Sequence, residues 1–199
     1  MTFVVDSRLA PHNTILHGKE IVLRPMTEDD WEILLKWNSD PEILYFAEGA
    51  DAESYSLDEI QQIYRGVPQH AYCFIIEREG IAVGDCWLQE MNLERILRKY
   101  PEKNSYRIDL IIGEKTLWGC GIGSEVIQLL TNFAFTMQNA DFVFGCDIAD
   151  HNQASQRIFE KNGYHVDTKL SPPPDRKAAY RYDVVQSREC WADNKSTIS

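Results

Sequence analysis

The sequence has no run approaching the roughly 18 consecutive apolar residues that a membrane-spanning helix requires. Its first ten residues, MTFVVDSRLA, also lack the basic region and following apolar stretch of a secretory leader. These absences give the expectation of no membrane partner and a cytoplasmic location. Cysteine is sparse: Cys73, Cys86, Cys120, Cys146 and Cys190 are odd in number, widely spaced and without a C-x-x-C pair. That pattern argues against a disulfide framework or a thiolate zinc site, and the five read as reduced thiols. None of the five histidines falls in an H-E-x-x-H pattern, so no metal is expected. Positive charge is short as well, with 20 Lys and Arg against 31 Asp and Glu and a formal charge of −11. Nucleic acid needs a basic surface and is therefore not expected as a partner. A cationic ligand suits such a surface, although acidity kept for solubility alone accounts for the same balance.

What is present is enough for one core. With 199 residues, 44% of them hydrophobic, the chain suits a single well-buried domain better than two. We place an N-terminal extension over 1–18, the domain over 19–186 and a polar tail with no clear period over 187–199. KEIVLRP (19–25) predicts a strand. MTEDDWEILLKWN (26–38) predicts a helix with a capping box of Thr27 and Asp30 and with Trp31, Leu34 and Leu35 on one face. PEILYF (41–46) and SLDEIQQIY (56–64) predict two short helices, the second capped by Ser56 with Glu59. AYCFIIEREGIAVGDCWLQE (71–90) predicts two antiparallel strands joined through EREG, and SYRIDLIIG (105–113) a further strand after a segment of undecided structure over 91–104. Strands are also expected over 141–150, 164–170 and 178–186, and a helix over 152–163 ended by Gly163. Alternating elements without an internal repeat imply a single mixed α/β unit.

The segment TLWGCGIGSEVIQLL (116–130) carries three glycines in five positions, Gly119, Gly121 and Gly123. It follows a strand and opens a helix whose apolar face is Ile122, Val126, Leu129, Leu130, Phe133 and Met137. Glycines there clear Cβ atoms from a positive helix end, which suits a pyrophosphate. The alternative is a tight turn with no ligand. Neither the Walker loop nor the dinucleotide fingerprint fits the spacing.

The pattern from Trp118 to Gly123 resembles the acetyl-coenzyme A loop of the GNAT acyltransferase superfamily, and NQASQRIFEKNGY (152–164) resembles its second element. Over about residues 20–186 the chain is similar to bacterial aminoglycoside 6′-N-acetyltransferases. The resemblance implies an α/β GNAT fold, a mixed central sheet flanked by helices, and acetyl-coenzyme A as acetyl donor. It implies that Trp118, Gly119, Cys120, Gly121, Ile122, Gly123 and Ser124 hold the coenzyme with Asn152 and Ser155. It also implies that backbone N–H groups near Ile111 and Ile112 receive the developing oxyanion. Asp109 matches the family's base, and the nearest match to a second acidic residue that holds a cationic acceptor is Asp147.

A carboxylate within RIDLII gains basicity by desolvation and can take a proton from an ammonium, unless a salt bridge with Arg107 or an outward orientation makes it structural. Tyr45, Phe46, Glu48, Asp51, Trp87, Asp109 and Asp147 are candidates for binding a cationic amine, the aromatics through their faces and the acids through charge, although Trp87 and Phe46 are equally suited to a core. Two departures from the family stand out. Phe159 occupies the position of a tyrosine that acts as general acid and has no proton to give, which leaves Tyr164, water or unassisted departure of the thiolate. Cys120 stands where a basic residue is common. It has no neighbouring histidine to activate it as a nucleophile. The functional expectation is acetyl transfer to a primary amine, the 6′-amine of an aminoglycoside, with peptide N-terminal or siderophore-precursor amines and a non-catalytic coenzyme A sensor as alternatives.

Overall fold

The computed structural model describes residues 12–47, 54–171 and 178–198. Eight strands form one sheet: β1 (Leu16–His17), β2 (Ile21–Pro25), β3 (Ala71–Arg78), β4 (Ile81–Glu90), β5 (Ser105–Ile112), β6 (Phe142–Ala149), β7 (His165–Leu170) and β8 (Arg181–Ser187). Their spatial order is β1-β2-β3-β4-β5-β6-β8-β7. All neighbours are antiparallel except β5 and β6, which run parallel. The β3–β4 hairpin turns on Glu79 and Gly80, both at positive φ (54° and 76°), as a two-residue turn matched to strand twist requires.

Helices cover both faces. On one, α5 (Ile122–Met137) lays Val126, Ile127, Leu130 and Ala134 against Leu23, Phe74, Cys86 and Ile108 of the sheet, all of them buried. Full burial of side chains of this size contributes roughly 1.5–3 kcal/mol each. Met137, counted on that apolar face from its spacing, is 70% exposed because it is the last residue of the helix. On the other face, α1 (Trp31–Trp37) and α3 (Leu57–Gly66) pack Leu34, Trp37, Ile60 and Tyr64 over Cys73 and Ile75, with α2 (Pro41–Ala47) beside them.

Both expected capping boxes form. The Thr27 N–H donates to Asp30 Oδ2 at 2.8 Å, ahead of a short 3-10 turn (Glu28–Asp30) that leads into α1. The Ser56 N–H donates to Glu59 Oε2 at 2.8 Å, and the Glu59 N–H returns to Ser56 Oγ at 3.3 Å.

The undecided segment over 91–104 contains α4 (Glu94–Lys99), whose Ile96 joins Met91, Phe144 and Val185 in a third cluster. The tail, which shows no period in sequence, is also ordered by packing. It forms α7 (Arg188–Ile198), held where Arg188 donates to the carbonyls of Phe135 and Ala140 and Trp191 Nε1 donates to Asn132 Oδ1.

Candidate active site

β5 and β6 pair only from Ser105–Phe142 to Arg107–Phe144 and then separate, so β5 from Ile108 onward keeps β4 alone as its neighbour. Asp109 lies on that freed stretch. It stands opposite Trp87 in the β4–β5 register, with Asp85 opposite Ile111 two positions along, so both aspartates are on one face of the sheet. A cavity over this face is lined by Asn38 from the end of α1, Tyr64 from α3, and Asp85, Trp87, Asp109 and Ile111 from the strands.

Asp109 Oδ2 accepts from Trp87 Nε1 at 2.6 Å and is 3.2 Å from Arg107 Nε. The ion pair foreseen as an alternative to a catalytic role is therefore present, together with access to the cavity. The side chain keeps 35% of its surface exposed, yet its carboxylate is set deep enough among protein atoms that burial dominates its titration. Burial raises its pKa above the usual carboxylate value, against the opposing Arg107 charge and Trp87 hydrogen bond, and the charge of Asp147 adds to the rise.

Asp85 is not among the residues expected from sequence, although a lone carboxylate within AVGDCWL carries the same signal as Asp109 within RIDLII. It is 2% exposed. Its Oδ2 accepts from the Tyr64 hydroxyl at 3.1 Å, and its Oδ1 meets no donor among the described residues. Burial pushes its pKa up to about 7; the Tyr64 bond opposes the rise and the charge of Asp109 adds to it.

The glycine loop joins β5 to α5. Gly119 (φ 77°) and Gly121 (φ 90°) adopt left-handed backbone, and a Cβ on either would point into open space. The loop surface above α5 is therefore bare backbone, approachable by a bulky anion. Ile122, Gly123 and Ser124 form the first turn of a 16-residue helix, where N–H groups have no intrahelical acceptor and the helix end is positive. Glu125 would oppose an anion there, but its Oε1 accepts from the backbone N–H groups of Lys19 and Glu20. Lys115, ahead of the loop, is paired with Asp40 and Glu42 at 2.8 and 3.0 Å. Trp118 Nε1 donates to the Ile112 carbonyl at 2.8 Å and so ties the loop to the freed end of β5. Cys120 is exposed, and Ser124 Oγ accepts from Asn162 Nδ2 at 3.0 Å.

The second element is α6 (Gln153–Lys161), whose cap is Asn152: Oδ1 accepts from the Ser155 N–H and Nδ2 donates to the Phe46 carbonyl, both at 3.0 Å. Tyr45 and Phe46 at the end of α2 are both exposed. Their rings meet His151 and Trp118 at 4.8 and 5.7 Å between centroids, which gathers α2, the glycine loop and the α6 cap. Glu48 and Asp51 lie outside the described residues.

Asp147 sits at φ 55° and is held between Arg95 (2.9 Å) and Arg181 (2.6 Å), while Arg95 also binds the buried Asp183. Its charge is thus already balanced within the protein. Phe159 is buried, and its ring fills the space that a Cβ on Gly145 would enter at 2.5–2.8 Å. Tyr164 meets Phe159 edge-to-face with its hydroxyl 2.6 Å from Thr131 Oγ1, and burial raises its pKa. A phenol locked in the core in this way is not available as a general acid.

Sequence and structural comparisons give the family and the fold. The family model described as the acetyltransferase (GNAT) domain matches residues 20–165. The chain belongs to the GNAT acetyltransferase family. A curated relative, an uncharacterised protein of Methanocaldococcus jannaschii, is 26% identical over 149 residues; the match covers 73% of this chain and only 28% of the relative. Among solved structures, this GNAT domain superposes on the aminoglycoside acetyltransferase AAC(6')-Ib in complex with coenzyme A and kanamycin with a TM-score of 0.72 (19% identity, 88% of this chain, 99% of that one). It superposes on the spermidine N-acetyltransferase from Vibrio cholerae in complex with coenzyme A and spermine with a TM-score of 0.71 (18% identity, 88% and 99%). A GNAT-family acetyltransferase from Bacillus anthracis gives a TM-score of 0.70 (17% identity, 88% and 99%). The shared property is the fold.

Proposed function

We propose that this GNAT domain transfers acetyl from acetyl-coenzyme A to a primary amine of a small polycation, with Asp109 receiving the amine's proton. The observation that carries the reading is the position of Asp109: a carboxylate of raised pKa on the stretch of β5 that has parted from β6, facing a cavity and one loop away from an open helix N-terminus.

Bound acetyl-coenzyme A supplies a thioester carbonyl open to attack by an amine. The backbone N–H groups of Ile122, Gly123 and Ser124 would hold its pyrophosphate, because the loop offers bare backbone and Cys120 adds no charge. Of Ile111 and Ile112, strand alternation turns one N–H toward β4 and the other toward the gap, where it can meet the carbonyl oxygen as charge builds on it. An acceptor arrives as an ammonium and cannot attack until a proton leaves nitrogen; the Asp109 carboxylate accepts it, held in place by Trp87. With Phe159 apolar and Tyr164 locked in the core, the departing thiolate takes its proton from water.

The resemblance to aminoglycoside 6′-N-acetyltransferases favours the 6′-amine of an aminoglycoside as acceptor. The engagement of Asp147 by two arginines removes one carboxylate from cation binding and favours a slimmer linear polyamine as a second reading. Turnover of acetyl-coenzyme A with kanamycin, with an analogue bearing a hydroxyl in place of the 6′-amine, with spermine and with a peptide N-terminus separates these acceptors. The aminoglycoside reading requires acetylation of kanamycin, no reaction with the hydroxyl analogue and an apparent affinity that weakens with salt. Under either reading Asp109→Asn lowers kcat by about 10²- to 10⁴-fold with a smaller change in coenzyme affinity. Near-normal turnover in that variant would reduce Asp109 to a structural partner of Arg107.

A further inference from the structure

We propose that Asp85 and Asp109 act as one proton-accepting pair, and that Asp85, at the buried end of the cavity, is where the proton of the acceptor ammonium comes to rest. This rests on the amine-acetylation reading above and adds to it a residue with no role so far.

The geometry separates the duties of the two carboxylates. Asp109 has its Oδ2 occupied by Trp87 and set beside Arg107, so a positive charge already faces it. Among the described residues Asp85 has no cationic neighbour. The ionisable groups packed around it are Tyr64 from α3, Cys73 from β3, Cys86 beside it on β4 and Asp109 from β5; Asn38 from α1 reaches it only through the Tyr64 hydroxyl, at 3.4 Å. The two thiols and the phenol stay protonated at neutral pH, since burial raises all three.

A carboxylate with one oxygen lacking a donor, surrounded by neutral groups and sharing a cavity with a second carboxylate, is held well above its ordinary pKa and binds the next proton offered to it. Two such groups titrate as a pair, and Arg107 beside Asp109 keeps that carboxylate ionised, so the proton rests on Asp85. In the step itself an N–H bond of the ammonium breaks, its electron pair stays on nitrogen for attack, and an O–H bond forms on the pair. The proton returns to water after the product leaves, so no oxidant, reductant or further reactant is required. A purely structural Asp85 would do no more than anchor α3 through Tyr64.

The test is carbon-13 NMR of protein labelled at the aspartate carboxyl carbons, with the Asp85 signal assigned from its loss in Asp85→Asn. Its midpoint should lie near pH 7, fall in Asp109→Asn as the neighbouring charge disappears, and rise in Tyr64→Phe as the stabilising hydrogen bond is lost. It should also fall by about one pH unit when spermine or kanamycin is added, because a bound cation favours the carboxylate. A signal titrating near the ordinary aspartate value, or one unmoved by Asp109→Asn and by both amines, overturns the pair. In turnover, kcat/KM should carry a limb near pH 7 that Asp85→Asn abolishes with at least a 10-fold loss of rate. A wild-type pH profile and rate in that variant would sink the inference and leave the acetyltransferase reading intact. If the wild-type protein acetylates no amine, that reading fails, and the NMR titration, which needs no turnover, still decides whether the carboxylates are coupled.

Discussion

Asp85→Asn should change how stability responds to pH in a way that no surface aspartate can. The Asp85 carboxyl moves from 3.8 to about 7 on folding, so the folded chain binds a proton there that the unfolded chain has already released between those values. Stability therefore declines as pH rises through that window and levels off above it, the reverse of a salt-bridged aspartate. The rise in pKa, at roughly 1.36 kcal/mol per unit, is worth about 4 kcal/mol. Asp30 and Asp167 act with the opposite sign. Burial pushes both up, but Arg24 and Thr27 for Asp30, and Tyr100, Lys99 and Thr168 for Asp167, more than offset it, so these two lose their contribution as pH falls.

The quantity to measure is therefore the difference between wild type and variant. Asparagine keeps an oxygen for the Tyr64 hydroxyl and cannot ionise, so any local misfit offsets the curve without tilting it. Urea unfolding at half-unit steps from about pH 4 to pH 8.5 should show the wild type losing on the order of 4 kcal/mol relative to Asp85→Asn, with most of the loss between about pH 4 and 7. In an Asp109→Asn background the tilt should shrink, because the charge that helps raise Asp85 is gone. Parallel curves, or a relative loss under about 1 kcal/mol, would refute the placement of an unbalanced carboxylate in the core.

Three further outcomes test other parts of the structure. Gly121→Val puts a β-branched residue at φ 90° and a side chain over the open loop, so affinity for acetyl-coenzyme A measured by calorimetry should fall at least about 10-fold while the far-UV spectrum is unchanged. In alkylation mapped by mass spectrometry, Cys120 and Cys190 should react ahead of the buried Cys73 and Cys86, and acetyl-coenzyme A should protect Cys120 alone; equal labelling of Cys120 with and without coenzyme would contradict its place in the cradle. Arg95→Leu leaves the buried Asp183 without its guanidinium and should cost roughly 3–5 kcal/mol in urea unfolding, whereas Arg98→Leu, from an exposed pair, should cost under about 1 kcal/mol.

Local chemistry made much of the fold legible. Thr27 with Asp30 and Ser56 with Glu59 are four-residue signals whose bonds close within one turn, and the glycine loop announces itself because φ near 90° strongly favours glycine. Elements whose order comes from distant packing were not legible. α4 and α7 have weak periods of their own and are fixed by Phe144 and Val185 in one case, and by the carbonyls of Phe135 and Ala140 in the other.

The same distinction governs the site. Asp147 looks from sequence like a carboxylate free to grip a cation, since the residues that balance it are 52 positions before and 34 after it, one of them inside the segment with no readable structure. Asp85 errs in the other direction. Nothing in AVGDCWL says whether its partner is an arginine or a phenol, and that difference decides between a low, structural pKa and one close to 7. A charged residue alone in an apolar strand thus marks a place where the fold must supply a partner, and the type of partner sets the residue's role. Asp183 and Asp85 are both buried, but Arg95 and the Asp147 N–H make the first a structural tie, while the second, with no cation beside it among the described residues, is left able to take up a proton at neutral pH.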